Sequence, residues 1–393
     1  MGNVRMRKIG IVTTSRADFG LYRPIIREIE KKRSLDYFLI VTGSHMSKKY
    51  GFTLTDIENE GFRIAERGRI FSYSDTAEST AKSMAKSIGF YAGAFVRQKP
   101  DLLMVLGDRF EMFCASLAAL PFNIPVAHIH GGEVTEGAID ESLRHAMTKL
   151  SHIHFTATEE YRRRVIQLGE DPEMVITSGA PSLDNLKNEK LLTASEIKKA
   201  TGFDPSEPFI LATLHPETVG GVSNRGMALA FFTALEDSGK KVLVTMPNAD
   251  PGANEIREII KKISTGNRRF FIFENLGTRL YFSMMRHASA MAGNSSSGII
   301  EAASFGLPVV NVGDRQKGRV RGRNVLDTPP DKIAISVALK KVADKDFRKS
   351  LIGMKNPYGD GESARVIVTA LSRPGIDRSL CRKRFHDLGP ERK

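Results

Sequence analysis

The sequence predicts an α/β protein built from two doubly wound, Rossmann-like domains. Three observations carry this. Apolar runs of strand length alternate with helical-period stretches, which argues for parallel sheets covered on both faces. The alternation runs as one series up to Leu183 and restarts at Phe209. At 393 residues the chain is also too long for one ordinary core.

In the first series the strand-like runs are 9–13, 37–41, 102–106, 125–130 and 152–157. Helical periodicity fills 21–32, 76–98, 111–119, 140–149 and 159–169. The second series has strand-like runs at 209–214, 242–246, 270–273, 288–292 and 308–312. The polar stretch 187–207, which contains Pro205, reads as helix plus linker. The domains are therefore placed at 1–185 and 205–370, with a basic tail over 371–393. Two such domains facing each other leave a cleft at the carboxyl ends of both sheets, where ligands bind. Functional residues are thus expected directly after strands.

Composition narrows the class. Hydrophobic residues make up 41% and charged residues 26%, as in ordinary globular domains. No run of about 18 apolar residues occurs, so no membrane partner is expected. The short basic start leads straight into a strand pattern, with no signal-peptide core. Cys114 and Cys381 make neither a disulfide framework nor a metal spacing, and a cytoplasmic location fits best. The net charge of +13 points to an anionic ligand or to a solvated basic surface. Nucleic acid is not expected, because the basic residues are dispersed and no zinc-finger or RNA-binding signature is present.

The first chemical motif is Thr13-Thr14-Ser15-Arg16-Ala17-Asp18-Phe19-Gly20, after the first strand and before a helix. A helix N-terminus there offers free amides to an anion, and Arg16 adds a two-pronged donor. The plainer reading is an N-cap with a surface ion pair. Gly107-Asp108-Arg109-Phe110-Glu111 sets a carboxylate beside an arginine, or else supplies an N-cap aspartate.

The densest stretch is His128-Ile129-His130-Gly131-Gly132-Glu133, then Gly137-Ala138-Ile139-Asp140-Glu141, then Arg144-His145. His128 and His130 alternate along a strand and are expected to point the same way. Gly131-Gly132 permits unusual backbone. Asp140 and Arg144 share one helix face. So many histidines and carboxylates around an arginine are hard to explain as packing. Zinc is a competing reading, but no H-E-x-x-H spacing occurs, and acid–base chemistry ranks first.

In the second series Leu214-His215-Pro216-Glu217-Thr218 puts a histidine at a strand end, facing the cleft or bonded to a neighbouring loop. Gly293-Asn294-Ser295-Ser296-Ser297-Gly298 reads as a phosphate cradle, or as a capped helix that is serine-rich by chance. Glu301 follows, within reach of a ribose. Gly313-Asp314-Arg315-Gln316-Lys317-Gly318-Arg319 is a further anion contact or a solvated loop.

Taken in order, T-S-R-A-D-F-G, V-L-G-D-R-F-E, H-I-H-G-G-E, I-D-E-S-L-R-H, L-H-P-E-T, G-N-S-S-S-G and G-D-R-Q-K-G-R resemble one family, the hydrolysing UDP-N-acetylglucosamine 2-epimerases. That group includes bacterial enzymes of sialic-acid and legionaminic-acid pathways. The resemblance covers residues 7–370, and the chain looks like the bacterial single-activity form. It implies a GT-B fold without nicotinamide or metal cofactor, and a homo-oligomer, dimer or tetramer. It implies conversion of UDP-N-acetylglucosamine and water to N-acetylmannosamine and UDP in sialic-type (nonulosonic) acid synthesis. The family route is anti elimination of UDP to 2-acetamidoglucal, followed by hydration. By motif position Asp108, Glu133 and Asp140 resemble the catalytic carboxylates, assisted by His130, Arg144 and His145. UDP would be held by His215, Asn248, Leu276, Ser295, Ser296, Glu301 and Arg315, with Arg16 and Arg109 from the first domain.

The stretch Val134-Thr135-Glu136-Gly137-Ala138-Ile139 also resembles variants acting on UDP- or GDP-linked 2,4-diacetamido-2,4,6-trideoxy sugars. A GT-B glycosyltransferase is the more distant alternative. A non-hydrolysing epimerase usually has Glu-Ala-Gly where this chain has His130-Gly131-Gly132. A binding-only sensor should lack the carboxylates, which are present.

Overall fold

A computed structural model describes residues 6–47, 52–70, 76–135, 139–217, 223–247 and 252–389. The chain forms two compact units. Unit 1 holds Met1–Glu133, Ile139–Asn185 and Gly359–Lys393, and unit 2 holds Val134–Ala138 and Leu186–Tyr358.

The strands of unit 1 are β1 (Arg7–Thr13), β2 (Leu35–Val41), β3 (Ile64–Arg67), β4 (Leu102–Leu106), β5 (Val126–Ile129), β6 (Ile153–Thr156) and β7 (Val175–Thr177). They form one parallel sheet in the order β3-β2-β1-β4-β5-β6-β7. Its helices are α1 (Arg16–Glu30), α2 (Leu54–Asn59), α3 (Ala77–Gln98), α4 (Phe110–Ala119), α5 (Ile139–Leu150), α6 (Glu159–Gln167) and α7 (Pro181–Asn188), the last running into unit 2. Central strands such as Leu102–Leu106 are buried throughout, as a sheet covered on both faces requires. The order reverses between β1 and β4, so the loops after these strands frame a switch point, where ligands of such sheets sit.

Unit 2 repeats the plan. After α8 (Ala194–Thr201) come β8 (Phe209–Thr213), α9 (Asn224–Asp237), β9 (Lys241–Thr245), α10 (Ala253–Ser264), β10 (Phe270–Phe273) and α11 (Gly277–His287). Then follow β11 (Ala290–Gly293), α12 (Ser296–Ile300), β12 (Val309–Val312), β13 (Val325–Thr328), α13 (Lys332–Ala343) and α14 (Lys345–Ser350). The sheet order is β10-β9-β8-β11-β12-β13, with its switch point between β8 and β11. Each unit is Rossmann-like, and a chain of two such units has the GT-B type of fold. Among the described residues no helix is long and apolar enough to cross a membrane.

Three sequence expectations change. Helix α1 starts at Arg16, not at residue 21, because Ser15 caps it by accepting from the Asp18 N–H at 3.3 Å. It continues through Pro24, which leaves the Gly20 carbonyl without its helical donor, and Asn185 Nδ2 donates there instead at 2.8 Å. Second, the domain placed at 205–370 ends earlier. From Gly359 the chain belongs to unit 1, where α15 (Ser363–Leu371) buries Ala364, Ile367, Val368 and Leu371 in the first core. Asp184 accepts from the Ser363 and Ala364 N–H groups at 3.0 and 2.9 Å and so caps that helix. Third, the stretch set apart as a basic tail, 371–393, belongs to unit 1, where half-buried Lys383 bonds to Lys149 and Glu170.

Candidate active site

In unit 1 the loops at the β1/β4 switch point carry the first motifs. Thr14 N–H and Oγ1 donate to the Asp18 carboxylate at 3.1 and 2.7 Å, Ser15 Oγ at 2.9 Å, and Thr13 Oγ1 also donates. Burial raises the Asp18 carboxyl nonetheless, while these hydroxyls and Arg109 pull it back. His45, whose ring meets Thr13 Oγ1 at 3.0 Å, is driven down to about 4 by burial and is neutral at pH 7. Arg16 is exposed. It lines a cavity of about 360 Å³ with Phe19, Arg23, His45 and Thr53.

After β4 comes Asp108. It does not cap α4, whose N-cap is Arg109 without a side-chain bond. The Asp108 carboxylate instead accepts from Arg144 on α5. The other terminal nitrogen of Arg144 donates to the His130 carbonyl at 2.9 Å. Arg109 reaches the buried Glu111 carboxylate at 3.2 and 3.3 Å, and Glu111, Asp18 and Asp140 hold its guanidinium firmly charged.

The strand β5 ends at Ile129, and His130 turns into the left-handed region at φ +67. Such a backbone in a non-glycine residue has to be held by its surroundings and marks a functional candidate. Here the carbonyl is pinned by Arg144, and Nδ1 lies 2.5 Å from Glu133 Oε1. Strand alternation therefore does not extend to His130. His128 is fully buried and its Nε2 meets the Gly107 carbonyl at 2.8 Å, whereas His130, past the strand end, pairs with Glu133, so the strand alternation behind a shared direction for the two rings is lost. Gly132 has φ +77, and a Cβ there would come within 2.5 Å of the Tyr161 carbonyl, so only glycine fits.

Asp140 stands in the first turn of α5, one turn before Arg144. Burial, then repulsion from Asp108, push its carboxyl up to about 6, while Arg109 and Arg144 partly offset this. His145 lies on the next face and pairs with Glu141 at 3.0 Å, outside the cluster. The structure thus joins Asp108, Arg109, His130, Glu133, Asp140 and Arg144, and adds Asp18 and Glu111, which sequence reasoning did not assign. Residues 136–138 lie outside the described residues.

In unit 2 the residues after β8 and β11 converge on Asn294. Its Oδ1 accepts from the His215 N–H at 2.7 Å, and its Nδ2 donates to the His215 carbonyl at 2.9 Å. Its own carbonyl accepts from Gln316 Nε2 at 2.9 Å and Arg315 at 3.2 Å. Glu217 Oε1 collects the N–H groups of Asp314 and Arg315 at 2.8 and 3.1 Å. Gly293 at φ +123 would put a Cβ 1.8 Å from the Thr213 carbonyl, so the approach of these loops depends on it. Burial, then Arg315, lower His215 to about 3. Ser295 caps the short α12, Ser296 opens it, and buried Glu301 closes it. Leu276 packs against the aliphatic and aromatic cluster below β10. Asn248 lies outside the described residues. The roles of Asn294, Glu217 and Gln316 were missed, although each lies within a motif after a strand.

Among the described residues no group of three or more His, Cys, Asp or Glu side chains is arranged to hold a metal ion. The unit 1 arrangement supplies a carboxyl raised to about 6, that of Asp140, among further carboxylates and fixed arginines. The unit 2 arrangement supplies a neutral histidine, an arginine and backbone amides.

The family model described as UDP-N-acetylglucosamine 2-epimerase matches residues 27–372. A GDP/UDP-N,N'-diacetylbacillosamine 2-epimerase (hydrolyzing) of Campylobacter jejuni is 36% identical over 97% of this chain and 99% of that protein. A UDP-N,N'-diacetylbacillosamine 2-epimerase (hydrolyzing) of Legionella pneumophila is 37% identical over 91% of this chain and 94% of that protein. Among solved structures, UDP-GlcNAc 2-epimerase from Neisseria meningitidis bound to UDP-GlcNAc superposes with a TM-score of 0.79 at 20% identity. That superposition covers 93% of this chain and 99% of the other.

Proposed function

Because the chain belongs to the hydrolysing UDP-N-acetylglucosamine 2-epimerase family, we propose that it releases UDP from a nucleotide-linked 2-acetamido sugar and returns the free 2-epimer. The observation that carries this is Asp140, a half-buried carboxyl raised to about 6 beside Asp108 and two arginines. A group that titrates near neutrality can take and return a proton, which is what epimerisation at C2 demands.

In this reading one carboxylate removes the C2 proton as the C1–O bond breaks and UDP leaves with the bonding pair. That gives the 2-acetamidoglucal. Water then adds, its oxygen to C1, and a proton reaches C2 on the other face. Arg144 holds Asp108, and His130 with Glu133 forms the second acid–base pair. Fixed cations favour the charge that develops on the leaving diphosphate. His215, Ser295, Ser296, Glu301 and Arg315 are assigned to UDP, with Arg16 and Arg109 assisting.

For the sugar we favour diacetylbacillosamine, a 2,4-diacetamido-2,4,6-trideoxy sugar, over N-acetylglucosamine. The two relatives named above act on it, and residues 134–139 resemble such variants. The test is NMR of products from UDP- and GDP-linked 2-acetamido sugars without an acceptor. Free UDP and a free 2-epimer are expected, fastest with the diacetamido substrate. Return of an intact nucleotide-linked epimer would defeat the reading.

A further inference from the structure

Lys383 has no part in the chemistry above, yet its Nζ donates to the carbonyls of Lys149 and Ser151 at 2.9 and 2.7 Å. It also meets Glu170 Oε2 at 2.5 Å. The two carbonyls lie at the C-terminal end of α5, where the last oxygens lack helical donors and the dipole favours a cation. The strap carrying Lys383 is pinned beside it. His386 N–H donates to the Gly169 carbonyl at 3.0 Å, and the Phe385 ring lies 4.9 Å from the Lys149 ammonium.

Glu170 is itself buried, and accepts from Lys149 at 2.6 Å and pairs with His154 at 2.9 Å. His154 is the register neighbour of His128, which holds the Gly107 carbonyl one residue before Asp108. Lys383 therefore abuts directly the helix bearing Asp140 and Arg144, and connects to the strands behind Asp108 through Glu170 and His154.

We propose that Lys383 is a positioning residue: by closing α5 from a distant strap, it fixes the helix whose other end presents Asp140 and Arg144. Its effect on turnover rests on the 2-epimerase reading, whereas its effect on α5 does not.

The test uses the full chain with Lys383→Met. Backbone amides of α5 should exchange ~10-fold faster or more, with unit 2 unchanged, because the open helix end frays. Turnover should fall ~10-fold or more at a KM within about twofold, since misplaced reacting groups cost rate rather than binding. Lys383→Arg keeps charge and donors and should recover most of the kcat. Should Lys383→Met fail to fold because buried Glu170 keeps only Lys149 and His154 as partners, Glu170→Gln combined with Lys383→Met removes that charge. The double variant should show the same faster exchange and the same loss of kcat. Unchanged exchange over α5 overturns the proposal, as does faster exchange with parental kcat. A parent silent on every nucleotide sugar refutes the 2-epimerase reading instead, and exchange over α5 then decides the role of Lys383 alone.

Discussion

The buried guanidinium of Arg144 ties the Asp108 carboxylate to the His130 carbonyl, one terminal nitrogen to each. A lysine ammonium is a point charge and cannot span both acceptors. Arg144→Lys should therefore keep the fold but lose about 10²-fold in turnover, as displaced catalytic groups do. Arg144→Met leaves a buried carbonyl without its donor and should cost about 1–3 kcal/mol of stability. Urea denaturation and steady-state kinetics on the two variants check this. Parental turnover in Arg144→Lys would remove Asp108 positioning from the mechanism.

Asp140 should set the acid limb of the pH profile. Burial and then Asp108 raise its carboxyl from 3.8 to about 6. Activity that needs the ionised form should fall as pH drops through about 6, and Asp140→Asn should erase that limb together with ~10²–10⁴-fold of the rate. The stability effect has the opposite sense. Between about 4 and 6 the native state holds a proton that the unfolded chain has released, so stability declines as pH rises through this window. Denaturation midpoints of parent and Asp140→Asn across pH 4–7 should converge at the acid end. An acid limb that survives in Asp140→Asn assigns it to another group.

Much of this is legible in the sequence. The strands that line the switch points are continuous apolar runs, and the motifs follow them directly, as in Leu102–Leu106 followed by Asp108. The edge strands Ile64–Arg67, Val175–Thr177 and Val325–Thr328 were not, because three or four half-exposed residues leave no periodic signal. The turn at His130 was also hidden, since H-I-H reads as strand until Arg144 pulls the carbonyl round. Asp18 and Glu111 became visible only with Thr14 and Arg109 beside them, contacts that local spacing does not encode. A lysine reads as solvated, so the pairing of Lys383 with buried Glu170 was illegible too.

Glu170 should be an acid-stability determinant. Burial pushes its carboxyl up, but hydrogen bonds from His154, Lys149 and Lys383 outweigh that and hold it at about 2, below the usual 4.5. The folded value is the lower one, so its contribution is complete above about 4.5 and is lost as pH falls towards 2. Glu170→Gln should flatten the loss of stability over that range. An unchanged slope in acid denaturation would show that the cluster is not ionised as described.

Asn294 should matter to nucleotide affinity without touching the sugar. It is fully buried and clamps both backbone groups of His215 while its carbonyl receives Arg315. Asn294→Ala leaves those groups unmet, a penalty of about 1–3 kcal/mol for each buried partner. Part of it should appear as weaker UDP binding, ~10-fold by calorimetry, with no change in the acid limb of Asp140. An unaltered Kd would separate this loop from the UDP site.

The carboxylates make the sharpest prediction, because elimination and hydration use different protons. If Asp108, Glu133 and Asp140 act as one unit, each amide variant should be crippled and the losses should not add. The half-reactions should also come apart. A variant without the C2 base releases neither UDP nor glucal, while a variant lacking only the hydration acid releases both and forms little epimer. His130 and Glu133, 2.5 Å apart, are the pair to examine for the second phenotype. In D₂O the parent must place deuterium at C2, since the proton taken from one face is not the proton returned to the other. Product with ordinary hydrogen at C2 would rule out elimination and hydration, whatever the carboxylates do when mutated.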